Sequence, residues 1–236
     1  AHEMQMGLMP VADPVVKGYD ISGLCVPANE VGGDFFDYVW LDRKQTKFGI
    51  ALADVSGKAM KAAMTAVMTS GMIYRELGSS GTPKTILRRI NKPLYAKLDQ
   101  RMFTAMSLAV IDLRTKELVL SNAGQVHPLM LRGGQIQRLK VEGARLPLGV
   151  KEEVKYEELK LKLKKNDTIV FLTDGIVEAM NEERELFGLE RLEQEVLTAG
   201  GFTAKALKEH LISAVQKFAG KAEQHDDMTV VVVRVL

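Results

Sequence analysis

The chain has only one cysteine and four histidines among its 236 residues, and the scarcity of cysteine excludes two kinds of site. With Cys25 alone, an intrachain disulfide framework and a cysteine zinc site are excluded, and a reducing compartment is favoured. No apolar run approaches the roughly 20 residues of a membrane-spanning helix. No basic and then apolar signal segment opens the sequence. These features predict a soluble cytoplasmic protein without membrane insertion.

A strong excess of one charge is also absent. The net charge is +2, and the lysines and arginines are spread along the chain instead of forming a block. Binding to nucleic acid is therefore not expected. Hydrophobic residues make up 46% of the sequence, which is enough for a sizeable core and excludes wholesale disorder.

Residues 1–10 have the sequence Ala-His-Glu-Met-Gln-Met-Gly-Leu-Met-Pro, which is typical of the end of a helix stopped by proline. We predict that they are the remnant of an upstream linker helix, and that residues 11–236 form one catalytic domain. An upstream regulatory domain and a homodimer formed through this helix are further expectations. The alternative is an ordinary exposed terminus.

Strand patterns occur in hairpin runs, and helical patterns occur in separate blocks. This order favours the α+β class with antiparallel sheets. The most regular helical pattern is Lys58–Leu77, in which four methionines recur every four residues: Met60, Met64, Met68 and Met72. Such a stripe predicts a face that packs on the core, and an adaptable surface for a partner is the alternative.

Four aspartates lie at strand ends: Asp34, Asp54, Asp174 and Asp226. An aspartate at such a position is usually a turn or N-cap residue. If the four converged, their repulsion would raise their pKa values unless cations neutralised them. Carboxylates without cysteine or histidine suit Mg²⁺ or Mn²⁺, and two such ions could activate water for phosphoryl transfer. Their spacing alone does not establish convergence.

Six motifs in a fixed order carry a resemblance to a known family. They are Gly32-Gly33-Asp34-Phe35-Phe36-Asp37, Asp54-Val55-Ser56-Gly57-Lys58, Asn122-Ala123-Gly124-Gln125, Leu146-Pro147-Leu148-Gly149, Thr173-Asp174-Gly175 and Asp226-Asp227-Met228-Thr229. From about residue 10 onward, the chain resembles the metal-dependent serine/threonine phosphatases (PPM, or protein phosphatase 2C class). The most similar branch is that of the stage II sporulation protein E and sigma-factor regulatory phosphatases.

The resemblance implies a fold and a site. The fold is an α-β-β-α sandwich of two antiparallel sheets flanked by helices. Two Mn²⁺ or Mg²⁺ ions are expected: Asp54 would bridge both, Asp34 would hold one, and Asp174 and Asp226 would hold the other. The Val55 carbonyl would join the ligands. The supporting residues around them would be Gly33, Ser56, Gly57, Gly175 and Asp227.

The resemblance also implies an activity. The expected reaction is hydrolysis of phosphoserine or phosphothreonine by metal-activated water, on a phosphorylated anti-sigma-factor antagonist in a stress or sporulation circuit. The helices after Asp54 would act as a switch coupled to metal binding. Two features of eukaryotic members are missing, namely an arginine near Asp34 and a histidine shortly after Asp54. The general acid is therefore left open, and we expect His127 and His225 to be structural.

Other functions fit the sequence less well. A diguanylate cyclase is disfavoured because Phe35 stands where the Gly-Gly-Asp-Glu-Phe signature has its glutamate. A phosphatase fold that has lost activity and serves as a binding module is the remaining alternative. Retention of all four aspartates argues against it. No Walker loop is present, so an ATPase or GTPase is not indicated.

Overall fold

Two five-stranded antiparallel sheets organise the computed structural model, which describes residues 7, 9–57, 60–76, 81–99 and 101–236. Each sheet belongs to its own unit. The first unit comprises residues 1–10, 31–125 and 140–163, and the second comprises residues 11–30, 126–139 and 164–236. The predicted linker helix at residues 1–10 lies almost wholly outside the described residues.

The first unit has the strand order β2-β3-β4-β5-β8. Its strands are β2 (Phe35–Trp40), β3 (Lys47–Val55), β4 (Thr104–Asp112), β5 (Glu117–Ala123) and β8 (Leu159–Lys162). Helix α1 (Met60–Glu76) packs on β3, and helix α2 (Pro83–Lys97) packs on β4 and β5. The central strands β3 and β4 are almost entirely buried, which explains their continuous apolar sequences.

The second unit has the strand order β1-β10-β9-β6-β7. Its strands are β1 (Tyr19–Val26), β6 (Leu129–Arg132), β7 (Gln135–Arg138), β9 (Thr168–Leu172) and β10 (Met228–Val235). Its helices are α3 (Asp174–Val177), α4 (Gly188–Thr198) and α5 (Ala204–Ala219). Helix α5 packs on β1 and β10 and contributes Leu207, Leu211 and Val215 to the core of this unit.

Local sequence signals account for several of the observed elements. Helix α5 begins after Thr203, whose hydroxyl accepts the Ala206 N–H at 3.2 Å. Helix α2 begins with Pro83 in its first turn, as the Thr82-Pro83 pair predicts. Along β8 the exposed lysines alternate with more buried leucines. The α+β class with two antiparallel sheets and helices beside each is confirmed.

The predicted core-facing methionine stripe is wrong. Met60 and Met64 are 51% and 66% exposed, and Met68 and Met72 are half-buried. The buried face of α1 instead carries mainly small residues such as Ala62, Ala66 and Thr69, which let the helix approach β3 closely. Lys58 and Leu77, where the helix was predicted to begin and end, lie outside the described residues.

None of the helices in the described part of the chain is both long enough and apolar enough to cross a membrane.

Candidate metal centre

Asp34 and Asp54 face each other at one end of the first sheet. The β2–β3 ladder pairs Phe35 with Ala53, so its register continues to Asp34 opposite Asp54. A hydrogen bond of 3.3 Å from the Val55 N–H to the Gly33 carbonyl extends the ladder beyond this pair. Directly opposed residues of an antiparallel pair have Cβ atoms about 4.5–5.5 Å apart. The first unit therefore brings two of the predicted acids together.

Glycine is required at position 33 because the segment that leads into β2 approaches Val55 closely. A Cβ atom at position 33 would lie 2.3 Å from the Val55 carbonyl oxygen. This carbonyl is the one predicted to bind metal. Any side chain at position 33 would push the two strands apart, which explains why glycine precedes Asp34.

Ser56 anchors the end of β3. Its N–H donates to the Phe103 carbonyl at 2.9 Å, and its hydroxyl accepts the Phe103 N–H at 2.7 Å. The Ser56 N–H is therefore paired within the first unit. Gly57 follows with a φ of +112°, which favours glycine. Both residues support the strand end that carries Asp54.

The second unit pairs Asp174 with Asp226. Thr173 and Thr229 hold the ends of β9 and β10 together: the Thr173 N–H donates to the Thr229 carbonyl, and the Thr229 N–H donates to the Thr173 hydroxyl, each at 3.1 Å. Asp174 begins α3 immediately beyond this contact. Asp226 lies two residues before β10.

Burial and negative charge raise the pKa values of both carboxyls. For Asp174 the main cause is burial, followed by the charge of Glu178. For Asp226 partial burial is again the main cause, and the nearby Asp174 carboxylate adds to it. Two carboxylates that disfavour each other's charge are the arrangement that a bound cation would relieve.

Asp226 and Asp227, which the resemblance assigns to a ligand role and a supporting role, differ sharply in their surroundings. Asp226 is exposed, whereas Asp227 is buried and its Oδ1 accepts the Ala28 N–H at 2.8 Å. Gly175 lets this segment approach α3, because a Cβ at position 175 would lie 2.0 Å from the Asp227 carbonyl oxygen. The side chain of Asp227 thus holds the loop, whereas the carboxylate of Asp226, whose Oδ1 accepts the Asp227 N–H at 2.9 Å, belongs to an exposed residue.

The donor set fits hard divalent cations. It consists of carboxylates in two pairs, one in each unit, and contains no cysteine. Among the described residues, no group of three or more histidine, cysteine, aspartate or glutamate side chains is positioned to hold a metal ion. Of the two histidines considered, His225 is exposed, and its charge lowers the pKa of Asp226.

Arg145 was not singled out from the sequence. Its segment lies at the end of the first sheet that carries Asp54, since Thr104 pairs with Val55 on one side and with Leu148 on the other. One Nη of Arg145 donates to the Gln125 carbonyl at 2.6 Å. Burial lowers the pKa of the guanidinium, and it forms no ion pair with another described residue. A desolvated cation without an acid partner can bind an anion.

Comparison with known proteins identifies the family. The family model of stage II sporulation protein E (SpoIIE) matches residues 44–236, which include Asp54, Asp174 and Asp226. The chain belongs to the SpoIIE family. This membership confirms the predicted placement in the SpoIIE branch of the metal-dependent (PPM) phosphatases, a class of protein serine/threonine phosphatases.

Two curated relatives come from Bacillus subtilis. The phosphoserine phosphatase RsbU is 25% identical over 99% of this chain and 68% of its own length. Stage II sporulation protein E is 26% identical over 97% of this chain, but the chain spans only 27% of that relative.

Two solved structures share the fold. The SiaA-PP2C domain of Pseudomonas aeruginosa has a TM-score of 0.80 and 23% identity, over 92% of this chain and 85% of that one. RsbX, solved in complex with magnesium, has a TM-score of 0.69 and 14% identity, over 95% of this chain and 99% of that one.

Proposed function

We propose that the chain hydrolyses phosphoserine or phosphothreonine on a protein, in a reaction that depends on Mn²⁺ or Mg²⁺. The observation that carries the proposal is the pairing of acids at strand ends, Asp34 with Asp54 and Asp174 with Asp226. Buried or mutually repelling carboxylates are costly to maintain, and a chain without a use for cations would gain stability by replacing them.

We assign the metal ligands as Asp34, Asp54, Asp174 and Asp226, with the Val55 carbonyl, and Asp54 as the bridging ligand. When bound, two such ions supply an activated water and neutralise charge on the phosphoryl group. The role of the chain is to hold the carboxylates in place. Gly33 and Gly175 allow the close backbone contacts, and Ser56, Gly57 and Asp227 fix the loops that carry the ligands.

Arg145 is our candidate for positioning the substrate phosphate. Its guanidinium lies at the sheet end that carries Asp54, and its bond to the Gln125 carbonyl fixes its orientation. A planar guanidinium can donate two parallel hydrogen bonds to phosphate oxygens. Arg145 would supply the positive charge that eukaryotic members have as an arginine near the position of Asp34.

The substrate we propose is a phosphorylated anti-sigma-factor antagonist in a bacterial stress or sporulation circuit, acting in the cytoplasm. Support comes from the SpoIIE family and from RsbU, a phosphoserine phosphatase. An upstream regulatory domain, and dimerisation through the helix predicted at residues 1–10, belong to the same proposal; the chain spans only part of stage II sporulation protein E.

The test is release of phosphate from such a phosphoprotein with Mn²⁺, with Mg²⁺ and with a chelator. We expect activity only with metal. Asp54→Asn should lower it about 100-fold or more, since even residues that merely support metal ligands contribute 10–100-fold. Asp112→Asn is the matched control, because Asp112 also ends a strand but contacts only its own turn: it accepts the Arg114 and Thr115 N–H groups and lies 3.7 Å from the Arg114 guanidinium.

Equal activity of the Asp54→Asn variant and the wild type would refute the metal mechanism. A folded chain without activity under every metal condition would favour the binding-module alternative.

A further inference from the structure

A groove of about 1030 Å³ runs along helix α2 in the first unit. One side is formed by α2 and the last turn of α1, and the other by the segment 152–156. None of the four acids assigned to the metal lines this groove. It is therefore a separate surface feature that the proposed reaction does not use.

The wall opposite α2 is held by a buried side chain. Asn91 of α2 is fully buried, and its Nδ2 donates to the carbonyls of Lys151 and Glu152, each at 2.9 Å. Its Oδ1 accepts the Gly149 N–H at 2.9 Å. Further along, the Tyr156 hydroxyl donates to the Leu146 carbonyl at 3.0 Å. A groove fixed in this way binds without a large ordering cost.

The groove is rich in positive charge. Helix α2 contains five lysines and arginines and no acid. The cations that line the groove are Arg75, Lys84, Arg88, Arg89, Lys92 and Lys155.

Some of these cations are already neutralised. Arg89 pairs with Glu76 at 3.3 Å, and both Lys84 and Lys155 lie 3.5 Å from Glu157. Among the cations that line the groove, three make no ion pair with any other residue in the described part of the chain: Arg75, Arg88 and Lys92. Arg88 and Lys92 are one helical turn apart and exposed, so they present two adjacent positive charges to a partner.

We propose that this groove docks an acidic segment of the phosphoprotein substrate, away from its phosphorylated residue. The inference rests on the proposed function. A phosphorylated side chain alone offers little to distinguish one protein from another, and a second contact adds both affinity and discrimination.

The negative charge on the wall opposite α2 favours a protein as the ligand over a nucleic acid or a membrane. Glu152 and Glu153 line that wall and would repel a phosphate backbone or anionic lipid headgroups. The lining contains one aromatic ring, that of Tyr156, which is buried and cannot stack on a base. If a bound protein segment has its acids on one side, the two glutamates repel that side, so that it faces the cations of α2.

Binding can be measured without any hydrolysis. The probe is a fluorescein-labelled peptide of six Ala-Glu repeats, followed by fluorescence anisotropy at low salt, where exposed charges are least screened. We expect R88E/K92E to weaken binding about tenfold, and R88K/K92R to restore it. The matched control is K160E/K164E, which reverses two exposed lysines outside the groove.

The kinetic test uses the phosphorylated antagonist protein and p-nitrophenyl phosphate. R88E/K92E should raise KM for the phosphoprotein about tenfold with little change in kcat, and leave kcat/KM for the small ester unchanged. A merely structural effect would lower activity on both substrates. Thermal unfolding of each variant checks that the fold is retained.

Three results would overturn the docking site: no affinity of the wild type for the acidic peptide, equal binding by R88E/K92E, or an equal loss in K160E/K164E. Tighter, Arg88-dependent binding of a thymidine oligonucleotide or of anionic vesicles would assign the groove to those ligands instead. If the peptide binds as expected but no phosphoprotein is hydrolysed, the proposed function fails and the substrate part of the inference fails with it.

Discussion

At the scale of single residues, two neighbouring aspartates have opposite surroundings. Asp226 is an exposed residue, yet partial burial of its carboxyl, and after it the charge of Asp174, raises its pKa. The carboxylate of Asp227 is buried and accepts the Ala28 N–H. The first arrangement costs stability in the absence of a cation, and the second contributes stability.

Asp226→Asn should therefore stabilise the metal-free chain by about 1 kcal/mol at neutral pH while abolishing activity. A carboxyl with a raised pKa in the folded state favours folding only while it is protonated. Its contribution is lost as the pH rises from the ordinary value of 3.8 through the raised one. The gain of the variant should thus be small in acid and grow toward neutral pH, as measured by urea denaturation without metal.

Asp227→Asn is the comparison, because it keeps the shape of the side chain but removes the charge that accepts the Ala28 N–H. We expect a loss of about 1–3 kcal/mol. If the difference in the free energy of unfolding between Asp226→Asn and wild type were no larger at neutral pH than in acid, the surroundings assigned to Asp226 would be contradicted.

Arg145 yields a separate prediction. If its guanidinium binds the substrate phosphate, Arg145→Ala should raise KM for p-nitrophenyl phosphate and the inhibition constant of inorganic phosphate, each about tenfold. Arg138→Ala is the control, since that arginine forms an ion pair with Glu193 at 2.6 Å. An unchanged inhibition constant for phosphate would leave Arg145 with a structural role only.

The sequence predicts some site residues and not others for a physical reason. Asp34, Asp54, Asp174 and Asp226 are visible because each follows or precedes a recognisable strand. Arg145 is not, since its partner is a backbone carbonyl twenty residues away, and no periodicity connects the two.

At the scale of elements, helix α1 shows how a strong pattern can indicate the wrong face. The methionine stripe has the regular spacing of a buried face, but Ala62, Ala66 and Thr69 occupy that position. Small residues pack a helix closely against a sheet, and the sequence does not show how closely the two elements approach. The proposed switch role of this helix stays a prediction.

A polar contact ties the same helix to strand β2. Tyr74 donates a hydrogen bond to the buried carboxylate of Asp37, which raises the pKa of Tyr74 to about 12. Burial raises the pKa of Asp37, and the hydrogen bonds from Tyr74 and from the Tyr38 N–H partly offset this. The contact connects α1 to the strand that follows Asp34.

Tyr74→Phe should destabilise the chain by about 1–2 kcal/mol at neutral pH, because it removes one donor from a buried carboxylate. It should also raise the pKa of Asp37 further. The protonated Asp37 contributes stability that is lost as the pH rises through the pKa of this group in the folded state. Because that pKa is higher in the variant, the loss of stability should continue to a higher pH. Urea denaturation at several pH values measures this, with Tyr95→Phe on the exposed face of α2 as control. Identical pH profiles for Tyr74→Phe and wild type would contradict the contact.

At the scale of the whole molecule, hairpins could be predicted and sheet order could not. The β4–β5 and β6–β7 pairs are joined by short turns that the sequence displays. By contrast, β1 pairs with β10 across nearly the whole chain, and β8 returns to the first sheet beside β5. Pairing between distant segments leaves no local signal, so the division into two units was not foreseen. The single catalytic domain at residues 11–236 stays a prediction, as do the upstream domain and the dimer.

The central claim is that the four aspartates of this SpoIIE-family chain bind divalent cations, and calorimetric titration with Mn²⁺ tests it most directly. We predict saturable binding of two ions per chain in the wild type and in Asp112→Asn, and loss of at least one ion in Asp54→Asn, because Asp54 is assigned as the bridging ligand. Absence of saturable binding in the wild type, or the same stoichiometry and affinity in Asp54→Asn, would contradict the account.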